Sequence, residues 1–390
     1  MNPVSRRGER DVSADAAPGR SGGDRLPARA SLCPKLRVAA ATVGMLPLIL
    51  SAPLAPASPA TPGTEFAWQL TPTGSEARLR GLDAVSGKVA WSSGSEGTVL
   101  RTINRGRTWR DVSPPDTGEL QFRDVEAFGR RSAVILAIGT GDDSRIYRTD
   151  NGGATWTLAF VNDDDSAFYD CMAFYNYRRG LALSDPVDGK FRILATKNGG
   201  RSWDVVSNEG MPAALPGEFA FAASGTCLVA GPGGNAWFGT GGGAEARVFR
   251  SRDKGATWSV ATTPVRSTES GGIFSLAFAG GRRGLAVGGD FLTPDAAVDA
   301  LALTFDGGSS WDLVGVGAPA GYRSGSAWVP LRPRTAIVVG PTGSDVSTDG
   351  GRSWTLFDDG SFDSVDCGQA GGCWASGEEG RAARLVSSRR

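Results

Sequence analysis

The sequence predicts an all-β protein, a seven-bladed β-propeller with four-stranded blades. Three observations predict it: an eight-residue frame that recurs six times, short strand-like segments between the copies, and the lack of sustained 3.6-residue apolar periodicity. The frame reads Ser/Thr-x-Asp/Asn-x-Gly-x-x-Trp, and its tryptophans follow one another at intervals of 43 to 55 residues. Such intervals are typical of repeats that each form one blade.

Each position of the frame has a local structural role. The Asp or Asn side chain accepts hydrogen bonds from the backbone amides that follow it, and the Gly supplies a positive φ. The Trp fills the hydrophobic gap beyond the turn, and burying one indole stabilises the fold by about 4–6 kcal/mol as an upper bound. The turn residues are Asn104, Asn151, Asn198, Asp253, Asp306 and Asp349, and the anchors are Trp109, Trp156, Trp203, Trp258, Trp311 and Trp354.

The first 57 residues are a different kind of sequence. Lys35 and Arg37 precede an apolar run over 38–50, and Ala55-Pro-Ala57 matches the small-x-small cleavage pattern of a secretory signal. The run is shorter than the ~20 residues that span a bilayer. We therefore expect residues 1–57 to be an export leader, with no stable membrane span after its removal and a periplasmic or extracellular product.

The rest of the chain divides into a short linker and one long repeat region. Residues 58–65 are a Pro/Ala linker, and residues 66–390 are predicted to form a single propeller. The whole chain has 41 basic and 41 acidic residues, of which 33 and 37 remain without residues 1–57, a net charge near −4. Because a nucleic-acid-binding protein is expected to show a clustered basic surface, this balance predicts no nucleic-acid partner.

Each repeat contains four short strands that are separated by Gly, Pro and Asp turns. In the third repeat these strands are predicted at 169–174, 180–184, 191–196 and 203–206, and the fifth repeat has the same layout. The sequence therefore assigns one four-stranded blade to each frame.

The two ends of the repeat region supply the seventh blade. Three predicted strands follow the last frame, at 362–367, 372–376 and 382–386, whereas the segment 66–70 stands as a single strand before the first blade. We expect this N-terminal strand to be the outer strand of the last blade, since that pairing closes the ring and protects its edges.

Cysteines in the repeat region indicate how two blades are held. Cys367 and Cys373 flank a five-residue turn that is short enough for a disulfide across the closing blade. Cys171 and Cys227 lie on predicted inner strands of neighbouring repeats, where either buried thiols or an inter-blade bridge would fit.

The repeated frame resembles the Asp-box, or BNR repeat, of sialidases and related propellers. From about Trp68 to Val386 the chain is similar to the photosystem II stability/assembly-factor family of such propellers, and more distantly to the sialidase superfamily. The resemblance implies that the boxes are structural and lie on the face away from the functional site. It also implies an exported, non-catalytic scaffold that binds a protein partner in the cell envelope.

The sequence contains few of the residues and motifs that enzymes use for catalysis. The chain has no histidine, which excludes Ser-His-Asp and Cys-His catalysis and histidine-ligated metals. The Gly-rich stretches 231–234 and 239–243 lie between strands, with no helix to hold a pyrophosphate. We predict no catalytic residues, no cofactor and no metal site. One alternative stays open, a glycosidase or glycan-binding propeller that uses loop carboxylates.

Binding is expected on the face opposite the frames, where the loops are longest. The candidate residues for ligand or partner binding are Asp185, Asp188, Glu218, Arg266, Asp290, Tyr322 and Arg323. Under one interpretation they are solvated or turn-capping side chains. Under the other they form a mixed-charge groove that grips a peptide segment or a glycan.

Overall fold

Seven antiparallel sheets of four strands each make up the protein in a computed structural model that describes residues 65–387. The first strand of every blade contacts the first strand of the next blade, and the first strand of blade 7 contacts that of blade 1. The predicted all-β, seven-bladed propeller is therefore confirmed. Within residues 65–387 no helix is long and apolar enough to cross a membrane.

The strands are numbered in chain order, and the first, β1 (Phe66–Leu70), belongs to blade 7. Blade 1 contains β2 (Leu79–Asp83), β3 (Ala90–Gly94), β4 (Val99–Thr102) and β5 (Arg110–Asp111); blade 2 contains β6 (Gln121–Ala127), β7 (Ala133–Ile138), β8 (Arg145–Thr149) and β9 (Thr157–Val161). Blade 3 contains β10 (Tyr169–Asn176), β11 (Arg179–Val187), β12 (Lys190–Thr196) and β13 (Asp204–Val205).

Blade 4 contains β14 (Leu228–Ala230), β15 (Ala236–Gly239), β16 (Arg247–Ser251) and β17 (Ser259–Thr262); blade 5 contains β18 (Gly271–Ala279), β19 (Arg283–Asp290), β20 (Leu301–Thr304) and β21 (Asp312–Leu313). Blade 6 contains β22 (Gly325–Trp328), β23 (Ala336–Gly340), β24 (Gly343–Ser347) and β25 (Thr355–Asp358); blade 7 contains β26 (Ser364–Cys367), β27 (Cys373–Ser376) and β28 (Ala382–Ser387). Single 3-10 turns occur at Gly141–Asp143 and Pro232–Gly234.

The ring closes through the N-terminal strand, as predicted. Strand β1 pairs antiparallel with β28, and the register aligns Phe66 with Ser387 and Leu70 with Ala383. The Trp68 indole is buried between blades 6 and 7, where its Nε1 donates to Ser344 Oγ at 3.0 Å. The two ends of the repeat region thus share one sheet.

The six frames form the same hydrogen-bonded turn, which we call the repeated turn. In blade 6, Asp349 Oδ1 accepts from the backbone N–H groups of Arg352 and Ser353, each at 3.0 Å, and Ser347 Oγ accepts from Gly351 N at 2.8 Å. Burial alone would raise the pKa of Asp349, but the hydrogen bonds from Ser353 and the other donors outweigh it and lower the pKa to about 2. The turn therefore holds a charged carboxylate at neutral pH.

The tryptophan of each repeated turn packs against the preceding blade. Trp354 lies among apolar residues of blade 5 that include Leu285 and Leu303, and Trp203 lies against Val134 of blade 2. Gly351 has φ +91°, and a Cβ there would come 2.8 Å from Leu303 Cδ2, so the glycine is required by both conformation and space. These indoles join blade to blade.

Two disulfides tie strands together. Cys367 and Cys373 bridge the two strands of the β26–β27 hairpin, in the blade that closes the ring. Cys171, on the inner strand of blade 3, is bonded to Cys227, which directly precedes β14 of blade 4. The second bridge thus links neighbouring blades close to the axis of the ring.

Candidate functional site

The two faces of the propeller differ because its strands alternate in direction. Turns between first and second strands, called hairpin turns here, lie at the same end as the repeated turns, and backbone hydrogen bonds join them in blades 1 to 6. For example, Arg105 N donates to Lys88 O at 3.1 Å, and Gly350 N donates to Arg334 O at 2.8 Å. We call this end the turn face. The opposite end, with the loops between second and third strands and between blades, is the loop face.

Two predicted binding residues are buried in ion pairs beneath the loop face. Glu218 is 4 % exposed and accepts from Arg247 Nε at 2.9 Å and from Thr240 Oγ1 at 2.6 Å. Arg323 is 1 % exposed, and its Nη2 lies 2.7 Å from Asp345 Oδ2. In this structure both side chains are occupied in holding loops, since each charge is already paired.

The predicted aspartates have different surroundings. Asp290 accepts from the Thr268 and Ser270 hydroxyls, each at 2.7 Å. Although burial acts to raise its pKa, these hydrogen bonds lower it below the usual range. Asp185 is half-buried, and its Oδ1 accepts from Ala220 N at 2.9 Å. Asp188 is exposed in a turn with φ +54°.

The remaining two candidates also differ from each other. Arg266 is exposed on the loop that leads into blade 5. Tyr322 is 7 % exposed and packs edge-on against Phe274, with ring centroids 4.7 Å apart. Phe274 in turn stacks on Phe221 at 3.8 Å. Tyr322 thus belongs to an aromatic cluster near the axis, and burial raises its pKa.

Three arginines that the sequence reasoning missed lie near the axis on the loop face, on the neighbouring blades 1 and 2. Arg78 donates from Nε and Nη2 to the Asp363 carboxylate at 2.9 and 2.8 Å. Arg80 Nε lies 4.0 Å from Asp363 Oδ1, and this buried Nε has no hydrogen-bond partner. Arg123 Nη1 donates to Ala222 O at 3.3 Å. We call Arg78, Arg80 and Arg123 the mouth arginines.

A signal for two of the mouth arginines was present in the sequence. Arg80 and Arg123 are the only basic residues on the first strands of the seven blades, and each lies at a register shift of its strand. A β-bulge at this position redirects the side chain. A basic residue inside an inner strand could therefore have been read as a site residue.

Blade 4 contributes a segment that crosses the axis, residues 219–226, which we call the crossing segment. Ser224 Oγ donates to Ser324 O of blade 6 at 2.7 Å, and Arg123 of blade 2 reaches Ala222 O. A Cβ on Gly225 would lie 2.5 Å from Asp124 Oδ1 of blade 2. Because this stretch leaves the blade, β14 has only three residues. The crossing segment covers the axis beside the mouth arginines.

Carboxylates on the inner strands connect neighbouring blades below the mouth. Asp366 Oδ2 accepts from Ala84 N at 2.7 Å, Asp83 Oδ2 from Ala127 N at 2.8 Å, and Asp124 Oδ2 from Met172 N at 2.6 Å. Burial raises the pKa of all three, that of Asp124 to about 8. Burial also raises the pKa of Asp170, which lies near Asp185 and is 1 % exposed. Within residues 65–387 no group of three His, Cys, Asp or Glu side chains is placed so that it could hold a metal ion.

The two faces carry opposite charge. Exposed basic residues of the turn face are Lys88, Arg105, Arg107, Arg130, Arg131, Arg178, Arg179, Lys197, Arg201, Arg252, Lys254, Arg282, Arg334 and Arg352, whereas the acidic residues of its turns are Asp150, Asp253, Asp306 and Asp349. The fourth strands that follow these turns begin with exposed Arg110, Asp111, Asp204 and Asp312. Exposed acidic residues of the loop face are Glu76, Glu96, Asp116, Glu119, Asp142, Asp143, Asp163, Asp165, Asp188, Glu245, Glu269, Asp295, Asp299, Asp359, Glu378 and Glu379. The balanced net charge of the chain conceals this separation.

Comparison with known proteins finds likeness in structure alone. No protein-family model and no curated protein matches the chain. Among solved structures, YCF48 bound to D1 peptide has a TM-score of 0.57 and 17 % identity, over 85 % of this chain and 99 % of that one. YCF48 from Cyanidioschyzon merolae has a TM-score of 0.58 and 17 % identity, over 82 % of this chain and 98 % of that one.

Propellers of glycoside hydrolases are similar to the same degree. The GH74 xyloglucanase from Xanthomonas campestris has a TM-score of 0.58 and 15 % identity, over 81 % of this chain. The match spans 53 % of that enzyme, about half of its length. At such identities the likeness to both groups establishes the propeller fold of this chain.

Proposed function

We propose that this protein is an exported, non-catalytic scaffold that binds a carboxylate-bearing segment of a protein partner in the cell envelope, on its loop face. The mouth arginines carry this proposal. Asp363 is already engaged by Arg78, so the guanidinium of Arg80 lacks a close carboxylate of its own. Burial lowers the pKa of Arg80. A ligand carboxylate would offset that unfavourable burial.

The charge around the mouth defines the kind of segment that fits. The mouth arginines lie inside a rim of exposed acidic loops, among them those at Asp163, Asp188 and Glu378. A segment with one carboxylate between basic residues matches both parts of this pattern. The peptide bound to YCF48 supports peptide binding by a propeller of this shape. Together with the family resemblance, it extends the proposal to assistance in assembling a membrane protein complex.

The test compares Arg80→Gln with Arg282→Gln. Synthetic peptides that contain Glu between lysines are titrated against each variant by fluorescence anisotropy. Losing a charge-assisted hydrogen bond costs about 1.5–3 kcal/mol, so Arg80→Gln is expected to weaken binding by about 10- to 100-fold. Arg282→Gln, at an exposed position of the turn face, is expected to bind normally. Equal affinity of Arg80→Gln and wild type would contradict the proposal.

A second candidate, a glycosidase or glycan-binding propeller, is favoured by one observation. Asp170 and Asp185 form a carboxylate pair in which the pKa of Asp170 is raised by burial and by the second charge, as a general acid requires. Asp170 is buried, however, which leaves no room for a sugar in this structure. Hydrolysis of xyloglucan or aryl glycosides that is lost in Asp185→Asn or Asp290→Asn would favour the enzyme over the scaffold.

A further inference from the structure

The turn face is a second surface, separate from the peptide site proposed above. We propose that it docks on an anionic lipid bilayer, with the propeller axis perpendicular to the plane of the membrane. The loop face then points away from the lipid. The proposal stands on the shape, the charge and the exposed apolar residues of the turn face.

Hydrogen bonds join the turns of several neighbouring blades at this end of the propeller. Arg101 Nη1 of blade 1 donates to Arg130 O of blade 2 at 2.7 Å, and Arg250 Nη1 of blade 4 donates to Gly307 O of blade 5 at 2.9 Å. Trp91 Nε1 donates to Gly129 O at 2.9 Å in the same way. A rim that is tied in this manner can contact a flat surface at many turns at once.

The charge of the rim is basic, and its carboxylates are engaged within the protein. Asp306 and Asp349 are bonded inside their own repeated turns, and Asp150 pairs with Arg148 and Arg201. In blades 1 to 3 the repeated turn has Asn in place of Asp, which leaves the arginines there with less opposing charge. Basic residues near an anionic membrane surface each favour binding.

A cleft at the junction of blades 1 and 7 suits a lipid headgroup. Its volume is about 380 Å³, and the charged residues that line it are Lys88, Arg105 and Arg384, with no carboxylate among the lining residues. Arg384 Nε, which is buried, has no hydrogen-bond partner. A headgroup phosphate is the group that such a basic cleft accommodates.

Exposed apolar side chains on the same turns favour a bilayer over a soluble polyanion such as a nucleic acid. Ile103 and Phe305, in repeated turns, are 46 % and 42 % exposed, and Tyr177 and Leu331, in hairpin turns, are 69 % and 95 % exposed. Aromatic and aliphatic tips among basic residues enter the interface of a membrane. A nucleic acid backbone gains nothing from Leu331, because it is recognised through charge.

The test uses the full chain and sedimentation with vesicles. Phosphatidylcholine vesicles, with and without phosphatidylglycerol, are compared at an ionic strength of about 0.1 M and about 1 M, where the Debye length falls from about 10 to about 3 Å. Tighter binding to the anionic vesicles at low salt is expected. The apolar run over 38–50 is present in every sample, so differences between lipids and between variants report the turn face.

Matched variants locate the contact. Arg131, Arg178 and Arg282 occupy equivalent exposed positions in three hairpin turns, and changing all three to Gln is expected to weaken anionic-vesicle binding by about 100-fold, about fivefold for each. Tyr177→Ser with Leu331→Ser is expected to weaken it further. The loop-face variants Arg266→Gln and Leu292→Ser should bind as wild type does.

Three results would overturn the proposal. These are equal binding to both kinds of vesicle, unchanged binding of the triple Arg variant, and binding to heparin or duplex DNA without binding to vesicles. The last result would assign the face to a polyanion instead. Because the peptide titration and the vesicle assay use opposite faces, either proposal can fail while the other holds.

Discussion

At the scale of single residues, the tryptophans of the repeated turns have a larger role than their local sequence implies. The frame predicts that each indole fills a gap beyond its own turn. In the structure Trp203, which is 7 % exposed, belongs to a cluster that contains Val134, Leu136 and Ile146 of the preceding blade, and its ring lies 5.7 Å from that of Phe174. Removing it therefore affects two blades.

Trp203→Ala is expected to destabilise the protein by about 3–5 kcal/mol, because it leaves a cavity between blades 2 and 3. Glu209→Ala, at an exposed position of the following loop, is the control and should change stability by less than about 0.5 kcal/mol. Urea unfolding followed by fluorescence measures both. If Trp203→Ala unfolded at the same urea midpoint as wild type, the anchoring role of the indole would be wrong.

At the scale of elements, the inner strands are joined by carboxylates that burial makes hard to ionise. Asp124 on β6 accepts from Met172 N of β10 and is 4 % exposed. Its pKa is about 8, against 3.8 for the unperturbed group, with burial the main cause and Asp366 adding to it. The folded protein thus holds a proton that the unfolded chain releases at lower pH.

The sign of the pH effect follows from this difference. Between about pH 4 and pH 8 the folded state binds more protons than the unfolded state, so the free energy of unfolding falls as pH rises, by up to about 1.4 kcal/mol per pH unit from this group. Asp124→Asn keeps an oxygen that accepts from Met172 N and has no charge to bury. Its stability relative to wild type is expected to rise across this range, as measured by urea unfolding at several pH values. The exposed control Asp295→Asn should show no such trend, and parallel curves for Asp124→Asn and wild type would refute the assignment.

At the scale of the whole molecule, the architecture could be predicted because its signal is local and repeated. One frame of eight residues determines a turn, a glycine conformation and an anchor. Six copies mark six blades, and the strands at the two ends of the repeat region supply the seventh. The mouth could not be predicted in this way. Arg80 and Arg123 lie on different blades, and the crossing segment that Arg123 contacts belongs to blade 4. Glu218 and Arg323 were selected as loop residues, and only the fold reveals that partners bury them.

Ring closure is a property of the whole molecule that can be tested by removing one strand. A chain that starts after Leu70 lacks β1, so the outer edge of β28 is open over the five positions that β1 occupied. It also loses Phe66 and Trp68 from the core between blades 6 and 7. These losses are comparable with the whole stability of a typical domain, about 5–15 kcal/mol. We expect this chain to be destabilised and to self-associate through the free edge, whereas a chain that starts at Glu65 stays monomeric. Light scattering and thermal unfolding compare the two, and identical behaviour would mean that the ring does not depend on β1 for its closure.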